Sequence, residues 1–556
     1  VEKETIQYQQ QQPKLGLQGS VVAWNDPWAG EASDRLMRTG TGAVIKSQDE
    51  APRRDEFTKV MKEMGAEFYV HHAFTGMEGY KELLEDMEEA NMELCLGNEY
   101  GNINGPWTEG TNRYDIPDEA VREALQSGKL IGLLYDEPEH LQINAGQYRK
   151  DGWYPHWSNT EGLEQEEAGQ AVVNAIESQV RHVDGVVAKH GQGAKAQTQV
   201  PLVAEQVFPT MFHLHARAGM AVCPKVMKES FQSLQLATAL GAAKQYDRAM
   251  WICADLWGPD IGPWFTRTPG FPGHSPEEYA SALRLAYWMG PTHLFTENVD
   301  VLLRYSKGGF RRTEFGEVWQ QFAREFMPAN QLLWTHNQAL ADIALICADD
   351  GNYGQHARLL GNRTQAVPEE TQSLFHAWHL LSRGTIPAHG SCMHIPGFDF
   401  PRHRLKAEVP PAAFPLEKGA PELGQSSMHP LYYPTRSVLV FDEQVREEQL
   451  GSPELIIVAG SRLSPHTLKA VRSKAEEGAT VIIGKWLVPA EWRLVCRLGR
   501  GSWIPVEHLL DEAAKSAAAP FLQAEDCWTQ RFGDHELRIY KKNESGTELE
   551  FEAVYR

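Results

Sequence analysis

From about residue 19 to residue 335 the chain repeats one unit, a short apolar run closed by polar residues and followed by an amphipathic segment. That repeat leaves few folds open. The runs fall at 21–24, 67–71, 92–96, 130–135, 200–205, 220–224, 250–254 and 293–296. They are too short and too aliphatic for surface helices, and they read as buried parallel strands. Between them, 54–64, 80–90, 166–189, 230–247 and 276–289 each carry apolar residues on one helical stripe. Ser275, Pro276, Glu277 and Glu278 form a strong helix start: a capping hydroxyl, a proline in the first turn, and acids at the positive end of the dipole. Eight such units predict an α/β chain that opens with a (β/α)₈ TIM barrel over 19–338.

A second α/β block is expected over 339–490. It has apolar runs at 341–347 and 437–441, a helix over 373–382, and a strand, helix and strand at 454–458, 464–476 and 479–483. The turn Gly460, Ser461, Arg462, Leu463 lacks the glycine spacing of a phosphate-binding loop, so no nucleotide site is read there. Over 491–556 a small β-rich domain is expected, because 535–540 and 548–552 alternate around a polar turn at 543–546. Residues 1–18 read as a polar, Gln-rich leader. The start at Val1 suggests processing, and with it a secreted or periplasmic location; trimming of a cytoplasmic protein is the other reading.

The 556 residues, 42% of them hydrophobic, suffice for several cores, while a net charge of -21 argues against nucleic acid and anionic membrane as partners. No apolar run reaches membrane-spanning length. The seven cysteines are odd in number and widely spaced, and they read as small core residues; no metal and no cofactor is expected.

The strand tips of the first domain suit a neutral, hydroxyl-rich substrate. They carry Trp24, Asn25, Asp26 and Trp28 after the first run, His71 and His72 after the second, and Asn98 and Glu99 after the third. The fourth adds Tyr135, Asp136 and Glu137, the fifth Glu205, the seventh Asp255 and Trp257, and the eighth Glu297 and Asn298. Aromatic faces stack on the C–H faces of sugars while carboxylates and amides bind hydroxyls, so these tips point to carbohydrate. His71 and His72 are adjacent on a strand, so only one of them can face the site. His213 and His215, two apart in a helical segment, do not share a face and read as core histidines. Aromatic loops at 152–157, with Trp107 and a Gly/Pro loop at 270–274, would line or cover such a pocket.

Cleavage of a glycosidic bond needs two carboxyl groups across the anomeric carbon. Glu137, beside the charge of Asp136 at a buried tip, is the expected general acid/base. Glu297 is the expected partner, with Asp255 the alternative.

This layout resembles the glycoside hydrolases with a clan-A barrel, in particular the family 42 β-galactosidases. In those, a flavodoxin-like trimerisation domain and a small β-domain follow the barrel. The segments at 341–347, 373–382, 454–464 and 478–484 carry the likeness of the second domain. The resemblance implies a retaining mechanism, a β-galactoside-like substrate and a homotrimer, with the acid/base after strand four and the nucleophile after strand seven. Glu137 matches by position, although family 42 has Asn-Glu where this chain has Asp136 and Glu137. The count places Asp255 on strand seven and Glu297 on strand eight. Either the run at 220–224 is not a strand, or Asp255 is the nucleophile. The cysteine cluster that binds zinc in some family 42 members is missing.

A catalytically silent sugar-binding barrel and an inverting glycosidase are the competing expectations. The first predicts carboxyls too far apart to cooperate. A metal-dependent amide hydrolase would need a His/Asp ligand set that the chain does not offer.

Overall fold

A computed structural model describes residues 12–19, 24, 26–28, 51–73, 79–98, 116–139, 160, 162–191, 199–227, 232–256, 274–306, 308–351, 358–362, 365, 368–386 and 431–556. Eight parallel strands close into a barrel in sequential order: β1 (Lys14–Gln18), β2 (Phe68–His72), β3 (Glu93–Asn98), β4 (Leu130–Asp136), β5 (Leu202–Gln206), β6 (Ala221–Val226), β7 (Trp251–Asp255) and β8 (His293–Glu297). Register between β1 and β8, with Leu17 opposite Thr296, seals the ring.

Strand one is a correction. It was expected at 21–24, with 1–18 as a leader, yet it lies at Lys14–Gln18. Its signal is weak because only Leu15 and Leu17 face the helices, while Gly16 faces inward, where a Cβ would fall 2.3 Å from the Phe68 ring. Of the expected run, only Trp24 is among the described residues. The run at 220–224 is a true strand, so the count of eight stands and Glu297 closes strand eight.

The helices between the strands include α1 (Arg54–Glu63), α2 (Tyr80–Ala90), α3 (Asp118–Ser127), α4 (Gln165–His190), α5 (Phe212–Ala218), α6 (Gln232–Tyr246) and α7 (Pro276–Trp288). Ser275 caps α7 by accepting from the Glu278 amide. Two side-chain layers follow from the strand period of two. Inward-facing Phe68, Val70, Cys95, Leu134, Val203, Cys223, Trp251, Cys253 and Phe295 fill the barrel, and the outward residues pack on the helices. Three of the cysteines are thus small interior fillers, each pushed well above an ordinary thiol pKa first of all by burial.

After the barrel, a hairpin of β9 (Leu303–Ser306) and β10 (Gly309–Arg312) leads to β11 (Ala339–Leu340) and a six-stranded sheet. That sheet holds β12 (Ile343–Cys347), β13 (Val438–Phe441), β14 (Leu455–Ala459), β15 (Thr480–Gly484), β16 (Cys496–Leu498) and β17 (Gly501–Val506) in the order 13-12-14-15-17-16. All its pairings are parallel except the edge pair β16 and β17. Helix α8 (Ser373–Leu381) places Phe375 and Trp378 in its core, and α9 (Pro465–Glu477) connects β14 to β15. The sheet runs past residue 490, where a new domain was expected. Strands β18 (Trp528–Phe532), β19 (His535–Lys541) and β20 (Leu549–Tyr555) form an antiparallel sheet that recruits β11 as its fourth strand.

The α/β sheet is locked to the barrel. Gly241 of α6 lies so close to β13 that a Cβ would fall 1.7 Å from the Val440 carbonyl oxygen. Asp349, just beyond β12, accepts from the amides of Met211 (2.7 Å), His213 (2.9 Å) and Leu214 (3.2 Å), and so caps α5 from the neighbouring domain. Asp442, just beyond β13, binds Arg217 at 2.6 Å and accepts from Gln245 and Tyr246.

Candidate active site

Alternation along the strands aims Asp136, Glu205, Lys225, Asp255 and Glu297 into the barrel at the C-terminal ends of β4 to β8. Register confirms the level: Asp136 pairs with Glu205, and Asp255 with Glu297. Glu137 follows directly, with φ at 45°. Two other tips also enter the left-handed region without glycine, Met227 after β6 (φ 82°) and Asn298 after β8 (φ 67°). Such backbone costs of order 1–3 kcal/mol per residue and clusters where side chains must be aimed.

At the centre lies Lys225, fully buried. Its Nζ donates to Asp136 Oδ1 (3.1 Å), Glu137 Oε1 (3.0 Å) and Glu297 Oε2 (2.7 Å). Glu205 Oε1 and Asp255 Oδ2 complete the shell at 3.7 and 3.6 Å. Burial alone would strip the proton from this amine, but the surrounding carboxylates outweigh it and hold the ammonium well above the usual lysine range. Glu205 moves up as well: burial dominates, with Lys225 opposing it and Asp136 and Glu297 reinforcing it. Ligand atoms of Glu205, Cys253 and Glu297 lie within 4.8 Å of one another, near enough to share an ion. The ammonium already sits among them as a cation, and the thiol of Cys253 is held protonated.

Behind the β4 tip, Glu139 is fully buried and accepts from the amides of Val207 (2.6 Å) and Phe208 (3.0 Å) in the turn after β5. Burial raises its pKa to about 8, the neighbouring Glu137 adds to that, and the amide bonds work against it.

The structure therefore brings Asp136, Glu137, Glu205, Asp255 and Glu297 to one point. A second group assembles elsewhere: Asp26 accepts from the Tyr69 hydroxyl (3.0 Å) and the Trp28 amide (2.8 Å) and lies 3.3 Å from His71 Nε2. His71 and the buried charge of Asp26 thus form an outward-facing pair, and Asp26 stays below the usual carboxylate range although burial opposes it. Strand alternation turns His72 inward instead. Trp24 and Trp28 are buried against Phe57, with their indole N–H groups donating to the Leu303 carbonyl and to Asp86, so neither ring is laid out as an open platform. Tyr135 points to the helix layer, where its hydroxyl meets Gln179 of α4 at 3.5 Å. The reason is its neighbour: Asp136 faces inward, so Tyr135 cannot. Asn298 is buried and donates to the Leu256 carbonyl. His213 and His215 are satisfied core histidines, bound to the Val440 carbonyl and to Gln206, and burial drops His215 to about 3. Asn25, Glu99, Trp107, Trp257, the loop at 152–157 and most of that at 270–274 lie outside the described residues, as does the Asn98 side chain.

Sequence reasoning missed Lys225, Glu139 and Gln18. Lys225 had a usable signal: a lone lysine two places beyond an inward cysteine in an apolar strand needs acidic company. Gln18 was lost with strand one; it is buried and inward-facing at the β1 tip.

No family model matches the chain, and no curated protein matches it. Among solved structures, the exo-β-1,4-mannosidase Op5Man5 from Opitutaceae bacterium strain TAV5 aligns over 85% of this chain and 77% of its own, at 11% identity and a TM-score of 0.43. Gas2p of Saccharomyces cerevisiae aligns over 58% and 65%, at 11% and 0.33. A truncated 3-deoxy-D-arabino-heptulosonate 7-phosphate synthase from Thermotoga maritima aligns over 57% and 87%, at 8% and 0.28. These likenesses carry no weight for function. The class that the strand pairing itself defines is a (β/α)₈ barrel with an acidic, lysine-centred mouth.

Proposed function

We propose that the chain is a glycoside hydrolase acting by a retaining, two-carboxylate mechanism on a neutral oligo- or polysaccharide, with Glu137 as general acid/base and Glu297 as nucleophile. One observation carries the reading. Oxygens of both residues are bound to the same nitrogen, at 3.0 and 2.7 Å, so they can be no further apart than those two distances laid end to end. That limit accommodates the roughly 5–5.5 Å between the carboxyl groups of retaining pairs. A silent binding barrel predicts the opposite. Attack by Glu297 on the anomeric carbon, with Glu137 protonating the departing oxygen, would form a glycosyl ester, which water activated by Glu137 then opens.

Asp255 is fully buried and lies 3.6 Å from the Lys225 ammonium, opposite Glu297 in register. With eight strands counted, the family resemblance points to Asp255 as nucleophile on strand seven. The reading departs from the resemblance because Glu297 shares the ammonium's hydrogen bonds with Glu137 and Asp255 does not, so Asp255 is the second choice. Imine chemistry at Lys225 is disfavoured, because a nucleophilic lysine needs a depressed pKa and this one is raised.

The parallel strands of the second sheet run in the 2-1-3-4-5 order of flavodoxin-like folds. We assign that domain a structural role, since Asp349 and Asp442, at the strand ends where such sheets take ligands, are bound to the barrel. A β-galactoside-like substrate and a trimer remain part of the proposal on resemblance alone.

The test is hydrolysis of 4-nitrophenyl β-galactoside, β-mannoside, β-glucoside and α-fucoside by wild type, E137Q, E297Q and D255N, with the anomer of the first product followed by NMR. The reading expects retention and a loss of about 10²–10⁴-fold or more in kcat for E137Q and E297Q. Inversion, or full activity in E297Q, would remove it, and loss in D255N with activity kept in E297Q would pass the nucleophile's role to Asp255.

A further inference from the structure

The acids at the mouth come from four different strands, and one side chain joins them. An ammonium carries three N–H donors, and Lys225 has three acceptors within hydrogen-bond distance: Asp136 and Glu137 at the end of β4, and Glu297 on β8. A neutral amine could serve only two. The bonds span from strand four to strand eight, so without the charge the Glu137 and Glu297 carboxylates lose their common tether.

We propose that Lys225 is the positioning residue of the carboxylate pair: its ammonium draws Glu137 and Glu297 together and sets the pH range in which one is ionised while the other carries a proton. This rests on the two-carboxylate reading above. The ammonium acts through Coulomb attraction on every acid it faces. Among the described residues these are Asp136 and Glu137 from β4, Glu205 from β5, Asp255 from β7 and Glu297 from β8, with the thiols of Cys253 on β7 and Cys223 on its own strand beside them. An ammonium bonded to both Glu137 and Glu297 favours the ionised form of that pair, so both limbs of the activity profile sit lower in pH than an uncompensated pair would place them. Glu205 supplies a reserve. It is fully buried and lies 3.7 Å from Nζ, outside hydrogen-bond distance of the ammonium, so it can take a proton that relieves the ring of one negative charge while leaving the three bonded acceptors in place.

The experiment uses the full chain as wild type, K225M and K225R, each checked for folding by circular dichroism and thermal melting. Two readouts are taken: kcat/KM against pH on the same aryl glycosides, and titration of glutamate carboxyls by ¹³C NMR on protein labelled at glutamate Cδ, with signals assigned through E137Q and E297Q. K225M is expected to move both limbs of the profile, and both glutamate titrations, upward by about 1 to 3 pH units. K225R keeps the charge and is expected to hold the profile in place at reduced height. A merely structural lysine would lower the height of the K225M profile without moving it, and unmoved titrations would overturn the proposal. The two readings separate cleanly. Wild-type activity that E137Q and E297Q abolish, with an unmoved K225M profile, sinks the role of Lys225 and leaves the glycosidase. Shifted carboxyl titrations in a protein that cleaves none of the glycosides leave Lys225 as the organiser of the pair and sink the glycosidase.

Discussion

Glu139 shows how much a single buried acid can decide. Its pKa of about 8 lies above that of the unfolded chain, so the folded protein holds a proton that the unfolded chain releases near pH 4.3. The stability it contributes is complete below that value and is lost as pH rises toward 8. Melting temperature should therefore fall between about pH 5 and pH 8 more steeply in wild type than in E139Q, whose amide keeps the acceptor for Val207 and Phe208 without titrating; equal slopes would refute it. The same residue explains a limit of sequence reading. Glu137 and Glu139 look alike in an Asp-Glu-Pro-Glu string, and only the fold assigns one to the mouth and the other to the turn behind it. Asp136, Glu205, Asp255 and Glu297 were legible because each ends a recognisable apolar run. Trp24, Trp28 and Tyr135 misled because residue type says sugar platform, whereas packing on Phe57 and strand alternation decide where the rings go.

At the scale of elements, seven of eight barrel strands were readable from aliphatic runs, and Lys14–Gln18 was not, since its inward positions include Gly16 and Gln18, which add nothing to a hydrophobic pattern. Gly241 illustrates the same point in a helix. Alanine is favoured over glycine in a helix interior by about 1 kcal/mol, so propensity alone predicts that G241A stabilises α6. The structure predicts the reverse, because the added Cβ meets the Val440 carbonyl and forces α6 off β13. A net loss of about 1–3 kcal/mol is expected, read as a lower melting temperature. An unchanged or higher melting temperature would mean that the two elements do not pack as described.

Taken whole, the molecule is a barrel whose outer helices are completed by its neighbours. Asp349 caps α5, Asp442 binds Arg217, Gln245 and Tyr246, and the Ser281 hydroxyl accepts from the Leu549 amide of β20. Sequence patterns gave no hint of these contacts, which join residues more than a hundred positions apart. D349A should expose three helix amides at once and cost about 2 kcal/mol or more, with faster amide exchange over Phe212–Ala218. Exchange unchanged in that helix would show that the cap contributes nothing. For the same reason a fragment ending at residue 338 is expected to melt well below the full chain, and one equally stable would make the barrel independent.

Strand β11 lends this dependence a direction in time. Ala339 and Leu340 leave the ribosome soon after the barrel strands, yet their partner β18 is made only after 190 further residues. Throughout that interval Trp334 lacks the Phe532 ring on which it finally stacks and α7 lacks Leu549, while α6 lacks Val440 for the first part of it. The nascent barrel must therefore wait, with apolar surface uncovered, for distant segments of its own chain, and its synthesis is a matter of protection from aggregation as much as of folding speed.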